Sequence, residues 1–400
     1  MKHRRRPLAL AALAALAAAA SYSATSAAQQ RAKDEPTEGR GQEQVPEGDK
    51  DPIRGSTFLL DQSMSTQTAG LENAEQSNVP FYGWWLSLRP RWNFSDHFRV
   101  QARLDYYKEF TNSGSTTYYR EDVFGDIWTD AVYSTPLAQE GRWKNTKVSV
   151  GARALWPTSK ITQAQGVFVT LGALAGVTQK FPIRGDEAPV LNSARAGLSF
   201  TYLHPFSNST TPDAYGAGNF SYVRENVEGF SFISHELTGQ TLSEHTVYGI
   251  LDTGLQITPK LGFTLDWILV NQWHYAPTQS FCVNTLTGCA QPSNIQPDNQ
   301  FTQLGWFLTE VDYEIMPELS LGLGYYNLAN TIGPNGQANS LFAGGENNLL
   351  WSPDARVYFD VTANLDKIFE DASGRYKAKP GQTAEAARTS RVRRIAEGMR

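Results

Sequence analysis

The stretch from His97 to Phe110, HFRVQARLDYYKEF, alternates between apolar and polar side chains. One set of alternate positions is Phe98, Val100, Ala102, Leu104 and Tyr106. The other set is Arg99, Gln101, Arg103, Asp105, Tyr107 and Glu109. Because successive side chains of a β-strand point to opposite faces, the stretch predicts a strand with one apolar wall and one charged wall.

The same pattern recurs along the chain and leaves two architectures to choose between. In a soluble sandwich the apolar wall is the core, and in a membrane barrel it faces lipid while the charged wall faces a wet lumen. We predict strands at 55–66, 81–94, 98–110, 121–134, 146–156, 167–179, 192–205, 245–257, 260–275, 301–315, 318–329 and 355–366. Most are longer than the 5 or 6 residues usual in soluble domains, which favours a barrel that spans a membrane.

The connections between these strands support the same choice. Those at 95–97, 258–259 and 316–317 are tight, whereas those after 110, 206, 276 and 330 are long and polar. Short turns at one end and long loops at the other are typical of outer-membrane barrels. Twelve strands place every tight turn and both chain ends on the periplasmic side, with ten or fourteen strands as alternatives.

The N-terminal residues indicate export. A basic cluster (2–6), an apolar run (8–20) and small residues ending at Ala28 predict a cleaved signal peptide over 1–28. Residues 29–54 are polar and lack aromatic side chains, which predicts a flexible periplasmic leader. A barrel is expected over 55–367. The basic segment 368–400 is expected to be a periplasmic tail, which either is disordered or contacts an acidic partner or the anionic cell wall.

Several function classes are disfavoured by composition. No run of 18 apolar residues follows the signal, and the net charge of −5 gives no basic stripe for nucleic acid. The two cysteines, Cys282 and Cys289, are close in an exported chain and predict a disulfide. No set of metal ligands stands out, so neither a metal nor another cofactor is expected.

With its signal peptide, its loop asymmetry and strands such as 260–275 (KLGFTLDWILVNQWHY), the chain resembles the outer-membrane β-barrel proteins of Gram-negative bacteria over about residues 55–366. The resemblance implies an all-β, antiparallel up-and-down transmembrane barrel in the outer membrane, with outer-membrane lipid as its partner. Aromatic side chains of outward parity near strand ends fit rings at the headgroup level. They are Tyr82, Trp84, Trp92, Phe94, Phe98, Trp267, Trp273 and Tyr275.

Any chemistry must lie in the lumen. Parity predicts a ladder of inward charges, namely Arg89, Arg91, Arg99, Arg103, Asp105, Asp122, Asp126, Asp130, Arg153, Asp266, Glu310 and Asp312. The same parity adds Lys147, Arg195, Asp252, Glu314 and Asp360. Basic residues dominate the first half of the wall and acidic residues the second. Charges of opposite sign on facing walls produce a field across the lumen that acts on passing solutes.

Three functions follow from this arrangement. The first is a passive channel for small polar or charged solutes. The second is a structural or surface-binding barrel with a plugged, ion-paired lumen, whose active parts are the loops 207–244, 276–300 and 330–353. The third is an outer-membrane hydrolase that uses His204, His235, His245 or His274. No hydrolase, zinc-protease or phosphate-loop motif occurs, so no catalytic residue is assigned and a non-enzyme is expected.

Overall fold

The computed structural model describes residues 52–66, 68–69, 81–111, 120, 122–184, 190–210, 241–276, 283–285, 288–290, 301–331, 350–351 and 355–372. The predicted signal peptide, most of the leader and most of the basic tail lie outside these residues. They stay predictions.

Twelve antiparallel strands close into a barrel, as the sequence predicts. They are β1 (Thr57–Ser65), β2 (Tyr82–Arg89 and Arg91–Asn93), β3 (Phe98–Glu109), β4 (Asp122–Phe124 and Ile127–Pro136), β5 (Thr146–Trp156), β6 (Val167–Pro182), β7 (Ser193–Ser207), β8 (Ser243–Gln256), β9 (Leu261–His274), β10 (Phe301–Met316), β11 (Leu319–Asn330) and β12 (Arg356–Asn364). Each strand pairs with the next, and β12 pairs with β1. Closure leaves no free sheet edge, which a membrane requires.

Strand direction gives the barrel two distinct ends. The connections at 94–97, 257–260 and 317–318 share the short-turn end, whereas 208–242, 275–300 and 331–355 share the long-loop end. Both termini of the barrel lie at the short-turn end. This confirms the predicted up-and-down arrangement and gives the lumen an axis along which its residues can be ordered.

Several strands depart from regular pairing, and the departures in β2 and β4 have identifiable local reasons. Pro90 interrupts β2 because proline has no N–H to donate, although its carbonyl still accepts from Ala102 N at 2.9 Å. In β4 the register shifts at Gly125 and Asp126, where three residues oppose two on β3. Such a bulge moves every side chain on one side of it to the opposite face.

Short additional elements flank the barrel. They comprise a 3₁₀ helix (Gly141–Trp143), helix α1 (Lys160–Ala164), a hairpin (Val283–Thr285 and Gly288–Ala290) and helix α2 (Leu365–Ala372). The Asp366 carboxylate of α2 accepts a hydrogen bond from Gly55 N at 3.0 Å and so joins the two termini. Residues 52–54, which the sequence assigns to a flexible leader, form turns that accept hydrogen bonds from Asn93. Within the described residues, no helix has the length and apolar character needed to cross a bilayer.

The outer face of the barrel is apolar and exposed. Leucine, valine and phenylalanine side chains such as Val150, Phe200 and Leu323 project outward from the middle of their strands. Exposed aromatic rings lie near both strand ends, including Trp84, Trp156, Phe206 and Trp273 at the long-loop end and Trp92, Phe98, Tyr133 and Phe181 at the short-turn end. An apolar band between two aromatic girdles is the surface that a bilayer covers.

Candidate functional site

Ten of the twelve predicted ladder residues point into the barrel. The strand registers place on the inward face Arg89, Arg91, Arg99, Arg103, Asp105, Asp130, Arg153, Asp266, Glu310 and Asp312. The neutral Asn93 lies directly opposite Arg99. Strand alternation alone was therefore enough to locate most of the charged lumen.

Asp122 lies elsewhere, and its predicted inward position is wrong. The bulge at Gly125 and Asp126 rotates the start of β4, so Asp122 points outward with Lys108. Its Oδ1 accepts hydrogen bonds from Lys108 Nζ at 2.8 Å and from the Tyr106 hydroxyl at 2.5 Å. Parity counted across an unrecognised bulge fails on the far side of it.

Asp126 lies in the bulge between the two segments of β4 and holds a neighbouring connection. Its two carboxylate oxygens accept hydrogen bonds from Ser159 N at 2.9 Å and from the Thr162 hydroxyl at 2.6 Å. The Ser159 side chain also caps the start of α1 by accepting from Thr162 N. Asp126 thus holds the β5–β6 connection at the long-loop end of the barrel.

The basic wall is defined as Arg89, Arg91, Arg99, Arg103, Lys147, Arg153 and Arg195, on strands β2 to β7. Two inward tryptophans stack with its guanidinium groups. Arg103 lies 5.0 Å from the Trp85 ring and 4.9 Å from the Trp128 ring. Arg153 lies 4.5 Å from Trp128 on its other side, and Arg89 lies 5.4 Å from Trp85. Such cation–π contacts fix long side chains against the wall.

Ion pairs partly neutralise this wall. The Arg153 guanidinium donates two hydrogen bonds to Asp130, at 2.7 and 2.9 Å, and both residues are buried. Arg103 pairs with Asp105 at 2.7 Å, and Arg195 pairs with Asp252 at 3.1 Å. A two-point arginine–carboxylate contact is strong and directional, so it fixes the mutual register of β4 and β5.

The acidic wall is defined as Asp61, Asp252, Asp266, Glu310, Asp312 and Asp360, on strands β8 to β12 and β1. Asp61 sits directly opposite Asp360, and Asp252 sits opposite Asp266. Sequence reasoning missed Asp61, although strand alternation in 55–66 could have found it. The wall therefore places like charges side by side on two strand pairs.

An apolar layer also lines the lumen. It comprises Leu203, Tyr248, Ile268, Val270, Leu304, Trp306, Tyr326 and Tyr358, which pack together as one buried cluster. The Trp306 and Tyr326 rings lie 6.1 Å apart, and Tyr326 and Tyr358 lie 6.0 Å apart. Sequence reasoning missed this layer because it treated the inward face as uniformly polar.

Gly324 makes room for one ring of the apolar layer. A Cβ at this position would overlap the Tyr358 ring of the neighbouring strand. We expect Gly324→Ala to lower the free energy of unfolding by about 1–3 kcal/mol, because overpacking forces the ring from its rotamer. Denaturant unfolding in lipid vesicles measures this. Gly249→Ala is the matched control, since its Cβ would meet only Phe200 ring atoms at 3.7 Å and beyond; equal losses would contradict the expectation.

The structure gives less support to the histidines predicted for a hydrolase and to the long loops predicted for surface binding. His204 and His245 lie on the outer face with ring centroids 5.2 Å apart, and the Tyr202 hydroxyl is 2.8 Å from His245 Nδ1. His274 contacts the Thr241 carbonyl and the Thr302 hydroxyl, each at 3.1 Å. His235 lies outside the described residues, as do 211–240, 291–300 and 332–349 of the long loops.

The described residues do not test the predicted disulfide between Cys282 and Cys289. Cys282 lies outside the described residues, while Cys289 lies in the short hairpin opposite Asn284. The disulfide therefore stays a prediction. The part of the chain that the structure describes contains no group of three or more histidine, cysteine or acidic side chains arranged to hold a metal ion.

Comparisons with known proteins give only distant structural similarity to channels and porins. The sequence matches no family model and no curated protein. The COG4313 outer membrane channel from Pseudomonas putida F1 is 10% identical, with 80% of this chain and 99% of that chain covered and a TM-score of 0.42. The NanC porin is 8% identical over 78% and 99% (TM-score 0.37), and the KdgM porin is 6% identical over 77% and 98% (TM-score 0.32). These are outer-membrane barrels, but the likeness is too low to carry an argument about function.

Proposed function

We propose that this barrel is a passive channel for small polar or charged solutes. The observation that supports the proposal is the pairing of like charges on the inward face: Asp61 with Asp360, Asp252 with Asp266, and Lys180 with Arg195. Like charges directly opposite each other destabilise a sheet. Arg195 also pairs with Asp252, but basic residues are concentrated on β2 to β7 and acidic residues on β8 to β12 and β1, and this separation favours a field across the lumen that acts on solutes.

The residues that line the lumen at the short-turn end support the entry of water there. Lys147 is exposed there, and Arg89, Arg91 and Arg99 are half-buried. Inward positions nearby on β6 and β7 carry small side chains, among them Gly176, Thr178, Gly197 and Ser199. This half of the lumen therefore combines accessible charge with space.

Planar-bilayer recording of the full-length chain tests the proposal. We expect stepwise currents whose anion-to-cation permeability ratio falls about two- to tenfold in Arg89→Ala and Arg103→Ala. The reason is that a unit charge about 10 Å away contributes about 0.4–1.7 kcal/mol at an effective dielectric of 80 to 20. Arg142→Ala, in an exposed connection, is the matched control. A fully inserted protein that passes no current would contradict the proposal.

A structural barrel is the second candidate, because several lumen charges are buried. Arg103, Asp105, Asp130 and Arg153 are each at most 5% exposed, as in a packed ion-pair network. This function predicts a silent protein in the same recordings. It also predicts surface binding that survives neutralisation of the lumen and disappears when the long loops are shortened.

The proposal also includes location and partners. We place the barrel in the outer membrane of a Gram-negative cell, after removal of residues 1–28, with the basic tail in contact with the cell wall. Membrane fractionation of the expressed chain and N-terminal sequencing of the mature protein test this. Recovery in the soluble periplasmic fraction would contradict it.

A further inference from the structure

The lumen is layered along its axis. On each of six strands an apolar or aromatic inward residue lies closer to the long-loop end than a charged inward residue. The pairs are Trp85 above Arg89, Trp128 above Asp130, Tyr248 above Asp252, Ile268 above Asp266, Trp306 above Glu310 and Tyr358 above Asp360. Members of a pair are two or four residues apart, which is about 7–13 Å of strand. On these six strands, a solute that enters from the long-loop end therefore meets the apolar or aromatic residue before its charged partner, while Arg356 on β12 lies beside the apolar layer, 5.8 Å from the Tyr326 ring.

Two hydrogen-bond donors lie on different walls of the lumen: Trp306 belongs to the apolar layer, and Trp85 lies on β2 directly opposite Asp61 of β1. The indole N–H groups of Trp85 and Trp306 are buried, and within the described part of the chain neither has an acceptor. A buried N–H without an acceptor is costly, so natural proteins seldom leave one unless another molecule satisfies it. An oxygen of a bound solute would supply the missing acceptor.

Charges of both signs flank the Trp85 donor, since Asp61 lies directly opposite it on β1 and two guanidinium groups lie near its ring. The guanidinium groups of Arg89 and Arg103 lie 5.4 and 5.0 Å from the Trp85 ring. A carboxylate is the common solute group that accepts from an N–H and is attracted by arginine, whereas an ammonium group only donates. An aromatic ring on the same solute fits the packed rings of Trp306, Tyr326 and Tyr358, since aromatic pairs attract beyond simple burial.

We propose that the apolar layer and the two indole N–H donors bind small aromatic carboxylates on their way through the barrel. This inference rests on the proposed channel function and names the solute class that the channel selects. The ring of the solute packs in the apolar layer, its carboxylate accepts from an indole N–H, and the basic wall attracts its charge onward to the short-turn end.

Reversal potentials of the full-length channel under bi-ionic conditions test the inference with three probes. They are benzoate (a ring-bearing anion), gluconate (an anion without a ring) and benzylammonium (a ring-bearing cation). We expect benzoate to be about three- to tenfold more permeant than gluconate, the range expected for an added aromatic contact. We also expect benzoate to exceed benzylammonium. Equal or greater permeability of gluconate or of benzylammonium would overturn the inference.

A double variant tests the two donors directly. Trp85→Phe with Trp306→Phe keeps an aromatic ring at each position but removes both N–H groups. The benzoate-to-benzylammonium ratio should fall about tenfold, as expected for the loss of hydrogen bonds to a charged group, because both probes carry the ring and only benzoate accepts from an indole N–H. Trp273→Phe, on the outer face, is the matched control. A heat-modifiable band on gel electrophoresis verifies folding of each variant.

The outcomes separate this inference from the channel function. Chloride currents with no preference for benzoate would overturn the solute class and leave the channel intact. No current with any salt would overturn both. If the double variant still prefers benzoate, then the indole N–H groups do not bind the solute.

Discussion

Asp130→Asn is expected to lower the free energy of unfolding of the barrel by about 3–5 kcal/mol, because it leaves the buried Arg153 guanidinium without its ionic partner. Both side chains are nearly inaccessible, at 4% and 3% exposed. Asp130 Oδ2 also accepts a hydrogen bond from Gln101 at 3.1 Å, so the substitution disturbs three strands. Guanidinium unfolding in lipid vesicles, followed by tryptophan fluorescence, measures the loss.

Two further variants keep this expectation falsifiable. Asp122→Asn breaks the exposed pair with Lys108 and should leave unfolding unchanged within error, since exposed ion pairs contribute little. The double variant Asp130→Leu with Arg153→Met should recover much of the lost stability, because no charge is then left buried. If Asp130→Asn unfolds at the wild-type denaturant concentration, the pair does not hold β4 and β5 together.

Leu323→Arg is expected to lower the free energy of unfolding in lipid by about 2–4 kcal/mol, which is typical of a basic side chain on the lipid face near the bilayer centre. Leu323 is 65% exposed and lies within β11, between inward Gly322 and Gly324. Its exposure would be harmless in a protein that faced water. The size of the effect therefore reports directly on hydrocarbon contact.

The control for Leu323→Arg is the same side chain on the other face. Thr178→Arg places arginine at an exposed inward position of β6, where water and the charged walls surround it. We expect a much smaller loss there. Equal losses at both positions, or none at Leu323, would show that the outer face does not meet lipid.

The strand pattern of this chain was readable from its sequence because its physical cause is local. Alternation in 98–109 follows from the geometry of one strand between lipid and water, and long strands with asymmetric loops follow from bilayer thickness. The inward placement of Arg99, Arg103 and Asp105 needed no knowledge of distant residues. These features were predicted with the correct strand number and order.

Features that depend on neighbouring strands were not readable in this way. The outward position of Asp122 depends on a bulge that no residue type announces. The apolar layer depends on Tyr248, Trp306 and Tyr358, which come together only when β8, β10 and β12 share one barrel. Only after every neighbouring side chain is placed can one see that, among the described residues, the indole N–H groups of Trp85 and Trp306 have no acceptor.

The central claim is that alternate residues of each strand face hydrocarbon and lumen. Nitroxide labels at positions 147–150 and 152 of β5 test it most directly, in a Cys282→Ser, Cys289→Ser background in lipid vesicles. Collisions with oxygen, which concentrates in hydrocarbon, should peak at the outward positions Val148, Val150 and Ala152 and fall at the inward positions Lys147 and Ser149. A flat oxygen profile along these five positions, or oxygen maxima at the inward ones, would contradict the account.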